Sequence, residues 1–331
     1  MNPLVSVCVT TYCHEKYLAQ TLDSILGQQV DFPIEVLIHD DHSPDGTEAI
    51  IRRYAEKYPD VVLPLYEEEN QYSKNIPINE TFNFPRARGK YIALCEGDDY
   101  WLDRHKLARQ VAHMEQDESC TFCFTNGMIH DEGGERPDRV FLPYYESERP
   151  YLKEQSGAYS LSEIARLSFI PTASFLFRVD ALRRLPEEFL SRPCQHGDLR
   201  MKLYLTAAGH AWYEDVIGCM YRENVPTSAF QVWKKEKRAQ LFSRCRSVVD
   251  MVEDVNRYSG GTAREALQAV SDHYLRVMAH NAPDLKTLKA GDLGRVYRSL
   301  PVKERLRCSL RLMLPEGLAA SLAQAFRPKG E

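Results

Sequence analysis

Short apolar runs alternate with amphipathic segments through the first 120 residues, and this alternation restricts the chain to few folds. Runs typical of buried parallel strands cover Leu4–Thr10, Ile34–Ile38, Val61–Tyr66 and Lys90–Cys95. Helical spacing of apolar residues predicts helices over His14–Leu26, Ile50–Tyr58 and Asp103–Gln116. Strands that alternate with helices predict an α/β protein with a doubly wound sheet, which binds ligands at the carboxyl ends of its strands.

The rest of the chain divides into an irregular middle and a helical end. Strands are predicted over Thr121–Thr125 and Ser174–Val179, and a helix over Asp198–Ala208. Glycine, proline and charge in Glu132–Pro150 predict a loop outside the sheet. After Val232 the strand signals vanish, so we expect a first domain over 1–230 and a helical region over 231–331.

The composition bears on partners and location. The 331 residues carry 42 Lys+Arg against 47 Asp+Glu, a net charge of −5, so no nucleic-acid partner is expected. No apolar run approaches the length of a membrane-spanning helix, and the N-terminus lacks the basic region of a signal peptide. The nine cysteines are expected to be reduced core thiols, since the CxxC of Cys120 and Cys123 lacks the second half of a zinc site. Together these features favour the cytoplasm.

Carboxylates follow two of the predicted strands. Asp40 and Asp41 come directly after the second strand, where they can accept hydrogen bonds from a nucleotide's base or ribose. A turn or helix cap is the alternative. Glu96, Asp98 and Asp99 crowd the end of the fourth strand, and Mg²⁺ or Mn²⁺ bridging to a diphosphate would relieve their repulsion. The alternative there is a solvated acidic turn.

Asp198 begins a predicted helix, and its position in the sequence is compatible with two roles. It can stabilise the helix N-terminus through the macrodipole, or it can act as a general base beside a pocket. The sequence has no GxGxxG after the first strand, no GxxxxGK[ST] and no GxSxG. These absences argue against a dinucleotide site, a P-loop and a hydrolase nucleophile elbow. A metal would then have to hold a nucleotide's phosphates, which fits the acidic cluster.

Three segments in this order resemble the successive motifs of the family 2 glycosyltransferases, including bacterial cell-surface polysaccharide transferases. They are VSVCVTTYCHEKYLAQTLDSILGQ, EVLIHDDHSPDGT and GKYIALCEGDDYW, and the likeness covers roughly residues 3–228. It implies the GT-A fold, a Rossmann-like and mostly parallel twisted sheet with helices on both faces. It further implies a metal-dependent, inverting transfer of sugar from a nucleotide-sugar donor, UDP-linked, to a glycan or lipid-linked acceptor. The divalent cation would be Mg²⁺ or Mn²⁺.

The resemblance also implies roles for individual residues. Asp198 matches the catalytic base, although Gly197 replaces the acid that usually precedes it. Glu96, Gly97 and Asp98 occupy the place of the family's DxD metal motif, with Asp99 beside it, so the metal ligands are expected among Glu96, Asp98 and Asp99. Donor nucleotide-binding positions are matched by Thr10, Thr11, Tyr12, Glu15, Asp40, Asp41, Asp98 and Arg222.

Two other functions are compatible with parts of the pattern. A sugar nucleotidyltransferase would carry a glycine-rich, basic loop after its first strand, and the segment TTYCHEKY has neither glycine nor arginine. A non-catalytic sugar-nucleotide-binding protein would have no need of both the acidic cluster and Asp198.

The end of the chain has a basic amphipathic pattern. Its basic and apolar residues are Lys303, Arg305, Arg307, Arg311, Leu306, Leu310, Leu312, Leu314, Leu318, Leu322 and Phe326. Such a segment can lie on an anionic membrane, which would bring the chain to lipid-linked acceptors at the inner face of the cell membrane. The alternative is a helix packed on the catalytic domain with its basic side chains solvated.

Overall fold

A computed structural model describes residues 2–192 and 194–313 of the chain. The strands are β1 (Val5–Thr11), β2 (Ile34–Asp40), β3 (Val62–Tyr66), β4 (Tyr91–Glu96), β5 (Tyr100–Trp101), β6 (Cys120–Asp131), β7 (Arg139–Val140), β8 (Gly157–Tyr159), β9 (Leu176–Arg178) and β10 (His210–Glu223). The helices are α1 (Leu18–Leu26), α2 (Thr47–Lys57), α3 (Lys106–Gln116), α4 (Leu161–Ile164), α5 (Val179–Arg183), α6 (Glu188–Ser191), α7 (Gly197–Ala207), α8 (Ala229–Trp233), α9 (Arg238–Tyr258), α10 (Arg264–Asn281), α11 (Leu285–Lys289), α12 (Gly291–Ser299) and α13 (Val302–Met313).

These strands form one sheet in the order β3-β2-β1-β4-β9-β6-β10-β5, with β7 paired to β6 and β8 to β10. Strands β3, β2, β1 and β4 are parallel, as are β6 and β10. Strand β9 is antiparallel to both β4 and β6, so β4 and β6 run in the same direction. The predicted α/β fold with a mostly parallel sheet is therefore confirmed.

Helices cover both faces of the sheet, as predicted. On one face α1, α2 and α3 bury Leu18, Ile51 and Leu107 against strand residues such as Val7 and Val36. On the other face the core contains side chains from α7, α9 and α10, including Leu203, Val252 and Leu267. Each amphipathic helix thus removes its apolar side from water against the sheet, the main source of stability in this architecture.

The observed sheet has strands beyond the predicted ones, including the short strands β5 and β8. Residues 132–150 do not lie wholly outside the sheet, because β7 pairs with β6. The fully buried Phe141, directly after β7, anchors this strand. Strand β10 was not predicted at all. It has 14 residues, and its pairing with β6 shifts register around Ile217, so bulges break its apolar alternation.

Residues 231–313 are largely helical, as predicted, and α9 and α10 share the core of the sheet. The domain boundary near residue 230 stays a prediction. Helix α13 buries Cys308, and Arg311 donates a hydrogen bond to the carbonyl of Ala282 at 2.6 Å. Leu314, Leu318, Leu322 and Phe326 lie outside the described residues, and membrane contact stays a prediction. Within the part of the chain described, no helix is both long and apolar enough to cross a membrane.

The cysteines behave largely as predicted. All nine are free thiols, and all are buried except Cys13, which is partly exposed. Burial raises the pKa of the Cys8 and Cys219 thiols, so these side chains pack as small apolar groups.

Candidate active site

The carboxyl ends of β1, β2 and β4 meet at one edge of the sheet. In the register of these strands Thr11 lies opposite Asp40, and Thr10 lies opposite Glu96. Because β1 sits between β2 and β4, its end faces the crevice where open α/β sheets bind ligands. The sheet therefore gathers Thr10, Thr11, Asp40 and Glu96 at the place predicted for the donor.

Asp40 and Asp41 are buried and organise the loops around this edge. The carboxylate of Asp40 accepts a hydrogen bond from the Ser43 hydroxyl at 2.5 Å, and burial raises its pKa. The two carboxylate oxygens of Asp41 accept the backbone N–H groups of Gln71 and Tyr72 at 2.7 and 3.0 Å. Each oxygen keeps a further lone pair. The role of Asp41 toward a base stays a prediction.

The loop after β1 forms one wall of a groove. The Glu15 carboxylate accepts the Gly46 N–H at 3.0 Å, and its own N–H donates to Asp45 at 3.2 Å. A cavity of about 470 Å³ lies between this loop and the segment after β10, lined by Cys13, Glu15, Lys16, Tyr17, Asp45, Pro226 and Thr227. The ring of Tyr12 is 36% exposed beside this loop. Glu15 thus holds the loop together, and Tyr12 offers an exposed ring.

Three carboxyl groups crowd the end of β4. Burial and the charge of Asp98 raise the pKa of Glu96 to about 8. Burial and the charges of Asp98 and Glu96 hold the pKa of Asp99 well above its usual range. Buried carboxylates at such density are costly unless a positive charge joins them.

The three carboxyl groups have different surroundings. Asp99 accepts the backbone N–H of Arg222 at 2.8 Å, and its own carbonyl accepts the Thr21 hydroxyl at 2.6 Å. One oxygen of Glu96 is buried without a hydrogen-bond partner among the described residues. Asp98 lies 3.7 Å from His14 Nε2. Asp99 is therefore tied to the protein backbone, whereas Glu96 and Asp98 keep acceptor capacity for a ligand.

Arg222 is buried in β10 and holds the acidic turn, residues 96–99, in place. Its guanidinium donates to the carbonyl of Asp98 and to the side chain of Gln20. It lies 3.3 Å from Glu132 and packs against the rings of Tyr17 and Tyr100. These contacts give Arg222 a positioning role, and its predicted approach to the phosphates stays a prediction.

His14 was not predicted as a site residue. A Cβ at Gly97 would lie 2.7 Å from His14 Nδ1 and 2.8 Å from Thr11, so only glycine lets the acidic turn approach both side chains. His14 Nδ1 and Thr11 Oγ1 are buried, and neither has a hydrogen-bond partner within the described ranges. The only signal in the sequence was the position of His14 just after the strand end that resembles the family motif.

Asp198 lies in the first turn of α7, within electrostatic reach of the acidic cluster. After burial and the charge of Asp98, the charge of Asp198 also contributes to the raised pKa of Glu96. Burial raises the pKa of Asp198, and the ammonium of Lys202, one turn along the helix, opposes that rise. General-base catalysis requires the ionised carboxylate, which the Lys202 ammonium favours.

The C-terminal helices hold the segment just before Asp198. Arg244 of α9 donates a hydrogen bond at 2.7 Å to His196 Nε2, and the His196 ring packs against Trp233 and Tyr274. Because arginine carries no acceptor, this contact requires the neutral imidazole. Burial, with Arg244 second, lowers the pKa of His196 to about 3.

This histidine should make the folded protein sensitive to acid. Below pH 6.5 the unfolded chain binds a proton at His196 that the folded chain excludes until about pH 3, so stability falls as the pH is lowered through that window. Between pH 6.5 and 4.5 we expect the wild type to lose about 2 kcal/mol more than His196→Gln. Urea unfolding of both proteins at several pH values measures this. If the free energy of unfolding fell equally with pH in both proteins, His196 would not be buried in its neutral form.

Comparison with known proteins places the chain among glycosyltransferases. The family model described as glycosyl transferase family 2 matches residues 6–185. Uncharacterized protein Mb1547 of Mycobacterium bovis is 34% identical over 176 residues, 53% of this chain and 46% of that protein. The putative teichuronic acid biosynthesis glycosyltransferase TuaG of Bacillus subtilis is 34% identical over 138 residues, 42% of this chain and 52% of that protein. The chain thus spans about half the length of these relatives.

Two solved structures share the fold at low sequence identity. S. aureus TarS 1-349 in complex with UDP-GlcNAc has a TM-score of 0.55 and 17% identity, covering 98% of this chain and 93% of that one. GalNAc-T7 with UDP, GalNAc and Mn²⁺ has a TM-score of 0.52 and 11% identity, covering 82% of this chain and 58% of that one. These likenesses confirm the predicted GT-A fold, and the matching family model confirms the predicted family. The chain belongs to glycosyl transferase family 2.

Proposed function

We propose that this chain is an inverting glycosyltransferase that moves a sugar from a UDP-linked donor to a hydroxyl of a glycan or lipid-linked acceptor. The observation that carries the proposal is the set of buried carboxyl groups at one edge of the sheet, Asp40 and Asp41 at the end of β2 and Asp98 and Asp99 after β4. The name of TuaG, with its reference to teichuronic acid biosynthesis, supports a role in cell-surface polysaccharide synthesis. The UDP-GlcNAc complex of TarS supports a UDP-linked donor.

A divalent cation, Mg²⁺ or Mn²⁺, fits the residues at the end of β4. The oxygen-only donor set suits a hard cation, and the unpartnered buried oxygen of Glu96 is a free acceptor beside it. Asp98 and Glu96 would hold the cation, with Asp99 fixed behind them by the Arg222 backbone. When bound, the cation supplies positive charge to the departing nucleoside diphosphate. The Mn²⁺ in the GalNAc-T7 structure supports this assignment.

Residues of the chain would carry out proton transfer, hold the acidic turn and bind the nucleotide. Asp198, ionised, takes the proton from the acceptor hydroxyl as its oxygen attacks the anomeric carbon opposite the diphosphate. The C–O bond to the diphosphate breaks as the new glycosidic bond forms, so the configuration inverts. Arg222 holds the acidic turn in place, and Asp41 with Asp40 fixes the loops beside the proposed nucleoside position. Thr10, Thr11, Tyr12 and Glu15 would form the rest of the nucleotide pocket.

A screen of sugar nucleotides tests the proposal without knowledge of the acceptor. Purified protein is incubated with UDP-, GDP- and dTDP-sugars and Mn²⁺, and released nucleoside diphosphate is measured. We expect slow hydrolysis of a UDP-sugar that stops when EDTA is added. Release of pyrophosphate from a nucleoside triphosphate and a sugar phosphate would instead identify a nucleotidyltransferase. Binding of a sugar nucleotide without turnover in the presence of a productive acceptor extract would identify a non-catalytic binding protein.

A further inference from the structure

A cluster of metal-ligating side chains lies at the opposite edge of the sheet from the carboxylates. His113 is in the last turn of α3, Cys120 begins β6 and His210 begins β10. In the parallel pairing of these strands His210 lies opposite Cys120. Strand β6 runs in the same direction as β4, so its amino end is at the edge opposite Glu96, which ends β4. The cluster is therefore separate from the proposed donor site.

The three side chains converge on one point. One ring nitrogen from each histidine and the sulfur of Cys120 all lie within 4.8 Å of one another. In a tetrahedral zinc site, metal–ligand bonds of about 2.0–2.3 Å place neighbouring ligand atoms roughly 3.4–3.8 Å apart. Small side-chain rotations would bring the three ligand atoms to this spacing. Two imidazoles and a thiolate are ligands that select Zn²⁺ and similar cations over Mg²⁺.

The surroundings hold this arrangement in place. The N–H of His210 donates to the carbonyl of Ser119 at 3.2 Å. A Cβ at the preceding Gly209 would lie only 2.3 Å from that same carbonyl, so glycine is what permits this close approach. On the other side, the His113 ring is stacked on Trp212, with centroids 3.7 Å apart and planes 15° from parallel. Two of the three ligands are thus positioned before any metal binds.

Outer-shell partners of His210 are also present. Asp117 Oδ2 lies 3.3 Å from His210 Nε2, and the other oxygen of Asp117 accepts the Ser119 hydroxyl at 2.6 Å. Ser119 Oγ is 3.4 Å from His210 Nδ1. Metal-binding histidines are usually oriented by such carboxylates and hydroxyls. Asp117 can therefore orient His210.

The hydrogen bonding of the cluster leaves capacity for a cation. His113 Nε2 is buried and has no hydrogen-bond partner among the residues that the structure describes. The fully buried Cys120 sulfur donates to the carbonyl of Phe122 at 3.4 Å. A buried ring nitrogen without a partner is costly in a folded protein. A bound metal would satisfy it.

We propose that His113, Cys120 and His210 bind a Zn²⁺-like cation, with water as the fourth ligand and Asp117 as an outer-shell partner of His210. The Cys120 thiol loses one proton to solvent as the sulfur–metal bond forms, while the two histidines bind as neutral imidazoles. The site would tie α3 to the amino ends of β6 and β10, so its role is structural. This proposal is independent of the proposed glycosyl transfer.

Cobalt substitution tests the site with the full-length chain. Co²⁺ is titrated into metal-free protein while the absorption spectrum is recorded. We expect a thiolate-to-cobalt charge-transfer band and the intense visible bands of tetrahedral cobalt, both abolished by one equivalent of Zn²⁺. The oxygen ligands of the donor site cannot produce the thiolate band. We also expect Zn²⁺ to raise the Tm of the protein.

Variants assign the signal to the cluster. Cys120→Ser and His210→Gln should remove the charge-transfer band, and Asp117→Asn should weaken Co²⁺ binding about 10- to 100-fold. Cys123→Ser is the matched control, since Cys123 is equally buried in the same strand and should leave the band intact. Circular dichroism of the metal-free variants verifies that each is folded. Absence of the band in the wild type, or its persistence in Cys120→Ser, would overturn the proposal and leave the cluster as core packing.

Discussion

Asp198→Asn should lower kcat for sugar transfer by about 10²–10⁴-fold, the usual contribution of a general base, while the donor Kd stays near the wild-type value. The amide has the shape of the carboxylate but cannot take the acceptor's proton. Transfer kinetics with a UDP-sugar and calorimetric titration of the donor measure the two effects separately.

A control separates this role from helix stabilisation. Asp292 occupies the same first-turn position in α12, and its exposed carboxylate pairs with Arg295. Asp292→Asn should cost at most about 1 kcal/mol of stability and leave kcat unchanged. If Asp198→Asn lost donor binding and stability together while retaining kcat in the folded fraction, Asp198 would be a structural residue and not the base.

Asp98→Asn should weaken the Mn²⁺-dependent binding of UDP by more than about 100-fold, since loss of even an outer-shell partner costs 10- to 100-fold. Asp99→Asn should have a much smaller effect. Its side-chain oxygen can still accept the Arg222 N–H, the contact that Asp99 makes in the protein. Calorimetric titration of UDP with and without Mn²⁺ measures both variants.

The comparison between the two aspartates decides which carboxylate faces the cation. Glu48→Gln is a suitable control, because Glu48 pairs with Arg52 on the exposed side of α2 and should leave UDP binding unchanged. A larger loss of UDP affinity in Asp99→Asn than in Asp98→Asn would make Asp99, and not Asp98, the carboxylate that faces the cation. Equal affinity in all variants, with no dependence on Mn²⁺, would remove the metal from the proposed mechanism.

The sequence was sufficient for the parts of the fold that depend on local pattern. Continuous apolar runs mark β1, β2 and β4 because parallel strands are buried on both faces. The carboxylates Asp40 and Glu96 end two of these strands, so the parallel pairing alone brings them to one edge. The position of the candidate site therefore follows from the strand pattern together with the parallel pairing.

Long-range features left no comparable signal. Strand β10 carries Arg222 to Asp99, yet its bulges disrupt the alternation by which strands are recognised. The place of His14 beside Asp98 depends on how closely Gly97 lets the acidic turn approach. Likewise, Cys120 and His210 are 90 positions apart in the sequence, and only the pairing of β6 with β10 joins them. Spacing rules for metal sites do not cover such a pair.

The most direct test of the central claim is a crystal structure with UDP and Mn²⁺, in which anomalous scattering locates the metal. We predict a manganese peak at ligand distance from Asp98 or Glu96 and from the UDP diphosphate, with the Asp198 carboxylate facing the same crevice. A manganese ion bound away from this acidic turn, or UDP bound at another edge of the sheet, would contradict the account.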